Sequence, residues 1–251
     1  MLNVEFDGPV AFVTLNRPEV RNAFNDELIA KLTSTFATLP ASVRAVVVRG
    51  EGKGFCAGGD LEWMKKASAS NEEENYQDAL KLAGLFRAVA ECPAVVIARI
   101  HGAAFGGGCG LVAACDVAVA AEDALFSFSE VRLGLIPGTI STYVIPKIGA
   151  GHARALFATG EAFGAEKALR IGLVHDIGPL EGLDALVDAK LKAVLAAGPL
   201  AVAQAKRVVF DSPLTPEEAA RRLVATRSGA EAKEGVAAFL ERRKASFVVD
   251  R

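Results

Sequence analysis

The stretch that decides the fold is HGAAFGGGCGLVAACD, residues 101–116. Gly106, Gly107 and Gly108 stand together and Gly110 follows, just where a run of small residues opens a helix. Each glycine inside a helix costs roughly 0.5–1 kcal/mol relative to alanine, so the cluster needs a reason. The apolar run AVVIARI, 94–100, ahead of it reads as a buried strand. A second stretch has the same order: RAVVVRG, 44–50, then GFCAGGDLEWM, 54–64, with glycines just before a helix that Asp60 is placed to cap. One explanation is close helix packing. The other is a ligand: N–H groups with no Cβ in the way meet an oxygen at a helix N-terminus, where the dipole adds positive potential. Two such loops, each following a strand, can aim one N–H apiece at a shared oxyanion.

The usual phosphate-binding motifs do not fit. A GxGxxG fingerprint counted from Gly106 meets Leu111 at its last position, and no GxxxxGK[ST] occurs.

Outward from the glycines, strands and helices alternate. Leu2, Val4 and Phe6, the turn Asp7-Gly8-Pro9 and VAFVTL at 10–15 read as a hairpin. Asn25 caps a predicted helix with Leu28, Ile29, Leu32 and Phe36 on one face. Further helices are expected near 73–91, 139–147, 150–158 and 164–171, with strands at 116–123 and 173–177. Asp116 is read as a structural hydrogen-bond acceptor. From about residue 180 only helices follow. Thr215-Pro216-Glu217-Glu218 is a complete helix start, and Val236, Phe239 and Leu240 form an apolar stripe. These features give an α/β fold with covered sheets over residues 1–190 and a helical region over 191–251 that packs on the core or on another subunit.

Composition narrows the function. The chain has 251 residues, 51% hydrophobic, enough for a large core, and a net charge of −2 with no basic balance for nucleic acid or an anionic membrane. The longest apolar stretch, around 102–115, is too short and glycine-rich to span a bilayer, and no signal peptide is visible. A soluble, cytoplasmic protein is expected. Cys56, Cys92, Cys109 and Cys115 form no CxxC pair and have no histidine at ligand spacing, so they read as buried and reduced, with no metal site. His101 is expected to hydrogen-bond in its turn, and no histidine joins a nucleophile motif.

At these residues the sequence resembles the enoyl-CoA hydratase/isomerase (crotonase) superfamily. The likeness rests on NRPEVRNAF (16–24), AVVVRGEGKGFCAGGDL (45–61), residues 101–138, GEAFGAEKALRIGLVHDI (160–177) and EGVAAFLERRKASF (234–247). It implies a spiral of ββα turns with a helical trimerisation region, homo-trimers or hexamers, and acyl-CoA thioester substrates. No cofactor is implied beyond the CoA that the substrate carries. By position, the family's oxyanion N–H groups map to Gly59 and Gly107. Arg21, Ala23, Ala57, Asp60 and Leu61 would border the CoA, with Arg242 reaching a phosphate from a neighbouring subunit. Trp63 and Met64 either line the acyl pocket or fill the core.

One departure stands out. Family hydratases resemble a GGGCE pattern with a second glutamate in a segment like SEVRLG. Here Glu130 supplies the second, and Gly110 stands where the first belongs. Three readings follow: a hydratase in which Glu130 serves alone, an isomerase that needs one base, or an idle acyl-CoA binder. The pattern of DLEWM, GAAFGG and SEVRLGLIP resembles hydratases of branched, carboxylated enoyl-CoAs such as 3-methylglutaconyl-CoA and carboxygeranoyl-CoA, which share the glycine. The hydratase is therefore the expectation. Glu62 is read as solvent-facing, and Arg132 as facing either the substrate or a neighbouring acid.

Overall fold

The computed structural model describes all 251 residues, Met1–Arg251. The amino-terminal hairpin forms as the alternation predicts, with β1 (Leu2–Asp7) antiparallel to β2 (Val10–Leu15). Asn25 caps α1 (Asp26–Ala37) by accepting the Leu28 N–H at 2.9 Å, and Leu28, Ile29, Leu32 and Phe36 are the buried face. Next come β3 (Ala45–Gly50), α2 (Leu61–Ala69), α3 (Glu72–Ala90) and β4 (Val95–Ile100). Past them lie β5 (Ala103–Phe105), α4 (Gly107–Ala114), β6 (Val117–Ala121), β7 (Leu125–Ser127) and a 3-10 turn, Ser129–Leu133. The helix α5 (Gly138–Thr159), β8 (Ala162–Gly164), α6 (Ala165–Arg170) and β9 (Asp176–Gly178) complete the α/β part. The helices α7 (Leu183–Ala196), α8 (Pro199–Phe210), α9 (Pro216–Arg227) and α10 (Ala230–Leu240) close the chain.

The main sheet runs β1-β2-β3-β4-β6-β9, parallel except for the hairpin. Its central strands are continuous apolar runs because both faces are covered. Ala45 to Val48 and Val95 to Ala98 are all buried. A smaller sheet, β5-β7-β8, lies beyond the end of β4. Sequence reading missed it, since three-residue strands are too short for an alternation to register.

One expectation needed correction and another held. The strand expected at 173–177 starts only at Asp176, because the N–H groups of Leu173 and Val174 turn back to Ala168 O and finish α6 instead. The two helices expected at 139–147 and 150–158 both form within Gly138–Thr159, divided at Gly149, whose φ of 76° and ψ of 153° are not helical.

The helical tail is pinned to the core by two buried-end cations. Arg44, just before β3, donates to Phe247 O at 2.6 Å and to the Val194 and Ala197 carbonyls at the end of α7. Lys206 of α8 donates to Cys92 O and Ala94 O and pairs with Asp116 at 2.6 Å. Asp116 also accepts the Val96 N–H at 2.7 Å, as a structural acceptor should. α7 runs through the 190/191 boundary with Leu183, Val187, Leu191 and Leu195 buried against the sheet. No helix is long and apolar enough to cross a membrane.

Candidate active site

The site grows from the ends of β3 and β4, which are adjacent and parallel. Past the sheet, the two chains stay side by side. Cys56 N–H donates to Ala103 O at 3.0 Å and Phe105 N–H to Cys56 O at 2.9 Å. On its other side the first loop is tied to Phe24, whose N–H donates to Gly58 O at 2.7 Å and whose O accepts the Asp60 N–H at 2.8 Å. The loop 54–60 is thus held between two main-chain segments, with Gly58 at φ 93°. A methyl group on Gly58 would lie 3.6 Å from Gly107 N. Gly59 N–H has no acceptor in the protein. Gly107 N–H opens α4, where no intrahelical acceptor exists.

The glycine cluster now has separate explanations at each position. Gly106 adopts φ 49° and ψ −118°, a conformation that L side chains rarely take. Its missing Cβ also leaves room for Glu130, whose Oε1 would lie 3.3 Å away. At Gly107 a Cβ would press on the Phe24 ring at 3.1 Å, and at Gly108 it would strike the Cys56 carbonyl that joins the loops. Gly110 is different. Its absent Cβ leaves a place filled by Ile140, with Cβ at 2.9 Å, and by the Phe86 ring at 3.0 Å. The position of the expected first glutamate is therefore occupied by apolar side chains from α5 and α3.

Glu130 sits in the 3-10 turn after β7, closed by Gly134 at φ 72°. The turn is anchored by a ring cluster in which Phe128 packs on Phe157 at 5.0 Å and on Phe163 at 5.9 Å. Gly106 N–H donates to Ser127 O at 2.8 Å, which sets the carboxylate beside the head of α4. Glu130 Oε2 is buried without a partner. Burial pushes the Glu130 carboxyl above its ordinary pKa. An unsatisfied buried oxygen costs free energy, and such groups with raised pKa concentrate where a proton is handled.

The sequence profile of the enoyl-CoA hydratase/isomerase family matches residues 5–249. The chain belongs to this family of enzymes. It is 33% identical over 254 residues to a crotonyl-CoA hydratase of Syntrophomonas wolfei, covering 98% of this chain and 96% of the relative. Among solved structures, Pseudomonas aeruginosa AtuE superposes with a TM-score of 0.95 at 34% identity, covering 99% of each chain. An enoyl-CoA hydratase of Mycobacterium smegmatis gives 0.91 at 35% identity, covering 98% of each. The mixed α/β fold with its helical carboxyl-terminal region is the fold of these crotonase structures.

The remaining candidates fall in three places. Around the first loop, Arg21 is exposed at φ 54° and accepts the Ala57 N–H on its carbonyl at 3.0 Å, and Ala23 is buried. Asp60 caps α2 through Glu62 N–H at 2.9 Å and pairs with Arg17 at 2.8 Å, so its carboxylate is fully engaged inside the protein. The Arg17 guanidinium and the Glu62 and Trp63 N–H groups hold its pKa below the usual value against the opposing effect of burial, which is the largest single influence.

Toward solvent, Leu61 is 78% exposed and Trp63 donates to Asp26 Oδ1 at 3.2 Å. Trp63, Met64, Leu133, Leu135 and Ile136 line an open cleft of about 950 Å³. Glu62 is exposed, as expected, and Arg132 forms no ion pair. His101 bonds Gly52 O at 2.8 Å. The four cysteines are buried and unpaired, and burial raises Cys56 and Cys115 to about 12. Arg242 lies apart, exposed at φ 55° in the turn after α10, which packs on α8 and α9.

Sequence reading did not single out Asn22 or Arg17. Asn22 is fully buried at φ 57°, and its amide donates to Glu51 O and Gly54 O while its Oδ1 accepts the Arg17 N–H. The signal was present: an Asn between Arg21 and Ala23 in a turn is a residue that tolerates left-handed backbone.

Proposed function

We propose that the protein adds water across the 2,3 double bond of an enoyl-CoA thioester. The observation that carries this is the buried Glu130 carboxylate, with Oε2 unpartnered and Oε1 beside Gly106 at the head of α4. In this reading the thioester oxygen accepts the Gly59 and Gly107 N–H groups. Glu130 takes a proton from water as its oxygen bonds C3, and the electron pair of the double bond moves to the thioester oxygen. The enolate then collapses and C2 takes the proton back from Glu130. One carboxylate suffices because the proton it gains is the proton it returns. Two main-chain donors in a dry site stabilise the enolate, each worth about 10²–10³ in rate.

The branched, carboxylated class, such as 3-methylglutaconyl-CoA, is supported by the cleft. Its apolar walls suit a branch, and Lys65, which lines it and enters no ion pair, suits a distal carboxylate. Arg21, Ala23, Ala57, Asp60 and Leu61 border the CoA in this reading. Arg242 meets it across a subunit boundary, in a trimer or hexamer built on the exposed Val236, Phe239 and Leu240. No cofactor takes part.

The filled place at Gly110 favours one second reading. A 3,2-enoyl-CoA isomerase needs only one base to carry a proton from C2 to C4. Mass spectrometry of the products separates the two: 2-enoyl-CoA and 3-methylglutaconyl-CoA gain one water in a hydratase, and a 3-enoyl-CoA is converted without mass change in an isomerase. Glu130→Gln should lower turnover by about 10²–10⁴ while acyl-CoA binding stays intact. Full activity in that variant refutes both readings, and binding without turnover across the panel leaves an acyl-CoA binder.

A further inference from the structure

Lys147 of α5 performs no task in the chemistry above, yet it is placed at the far end of the helix that begins with Gly107. Its Nζ donates to Cys115 O at 2.5 Å and to Val112 O at 3.4 Å, the carbonyls that end α4. It has no carboxylate of its own, because nearby Asp116 is taken by Lys206 at 2.6 Å. The counter-charge for its ammonium is the negative end of the helix dipole.

α4 has eight residues, so it is about 12 Å long. Gly108 through Ala114 are all buried, so little water lies along the helix to screen a charge at one end from the other. The same lysine ties α5 to α4, and α5 begins a few residues after the turn that carries Glu130. Burial pulls the Lys147 pKa down, while Cys115 and Asp116 oppose that pull.

We propose that Lys147 is a positioning residue for the oxyanion site. Its charge closes the carboxyl end of α4 and keeps the Gly107 N–H, at the other end, fixed in direction and in a field that favours a developing enolate. At roughly 15 Å and an effective dielectric near 20, a unit charge changes such a rate by roughly 5-fold. The effect falls on kcat, because the ground-state thioester carries little charge.

The inference rests on Gly107 being an enolate donor, and the test separates the two. The probe is a 4-dimethylaminocinnamoyl-CoA thioester, whose absorption moves to the red as its carbonyl is polarised. The parent protein should shift the band on binding. In Lys147→Gln, which keeps a donor for Cys115 O but no charge, the shift should shrink and kcat on the best 2-enoyl-CoA should fall roughly 5-fold, with KM within twofold. Lys147→Arg should restore both. Should the glutamine variant not fold, Lys147→Met carries the same expectation. A parent that binds the probe without a red shift refutes the oxyanion reading itself. A parent that shifts it, with an uncharged variant that keeps the full shift and kcat, overturns only the role of Lys147. So does a variant in which kcat, KM and thermal stability fall together and arginine rescues none of them.

Discussion

A single methyl group at position 110 tests the packing that replaces the first carboxylate. Gly110 lies inside α4 with helical backbone, so Gly110→Ala should gain about 0.5–1 kcal/mol from reduced freedom of the unfolded chain. Against this, the new Cβ would fall 2.9 Å from Ile140 Cβ and 3.0 Å from Phe86 Cζ, and nearer still to Ile140 Cγ2. Real Cβ atoms do not approach that closely, so α4, α5 or both must shift. Overpacking of this kind costs about 1–3 kcal/mol. The balance is a loss of up to about 2.5 kcal/mol, a fall in midpoint of up to about 10 °C for a chain of this size. Thermal or urea unfolding measures it, and a double-mutant cycle with Ile140→Ala locates the cause. Alone, Ile140→Ala should cost about 2–5 kcal/mol. In the Gly110→Ala background it should cost at least about 1 kcal/mol less, since the clashing Cγ2 is gone. An alanine variant more stable than the parent, or strictly additive losses, would falsify the claim that this place is filled. The corollary is functional: Gly110→Glu alone restores no second acid, because Ile140 and Phe86 hold its space.

Three further outcomes follow from the geometry. Gly108→Ala should drive the α4 head from the Cys56 carbonyl and lower kcat by about 10²-fold, read by steady-state kinetics, with circular dichroism unchanged. Asp60→Ala removes the α2 cap and strands Arg17, and should cost about 3–5 kcal/mol in urea unfolding; a loss below about 1 kcal/mol refutes the anchoring role. Glu130 has its folded pKa raised by burial, so the stabilising protonated form is complete below the unfolded value and lost as pH rises through the folded one. Glu130→Gln should therefore melt higher than the parent at pH 7, with the gap closing below about pH 4.5, and the parent's kcat/KM should fall as acid protonates the base.

Much of this was legible along the chain because the deciding signals are local. The solid apolar runs at 45–48 and 95–98 announce strands covered on both faces, and Asn25, Asp60 and Thr215 all cap the helices they precede. The glycines at 106–108 pointed to close approach, and the contacts name what approaches. What stayed hidden is non-local. Ile140 lies 30 positions beyond Gly110 in the sequence, and nothing in a helical apolar pattern says which neighbour its side chain will press. The Arg17–Asp60 pair and the grip of Lys206 on Asp116 likewise join segments far apart in sequence, each half of which looks like an ordinary surface charge. The β5-β7-β8 sheet was lost for want of length, and the first half of the 173–177 strand because Leu173 and Val174 bond back to the end of α6.

The ladder that continues past β3 and β4 into the two loops has a consequence for what this scaffold tolerates. Neighbouring strands lie about 4.8 Å apart wherever main chain pairs with main chain. Two loops carried on such rails are held side by side by their own main chain, whatever side chains surround them. Side chains at the rim are then free to change, as at position 110, where Ile140 and Phe86 take the space, while the course of the two loops is fixed by the main-chain bonds that prolong the sheet.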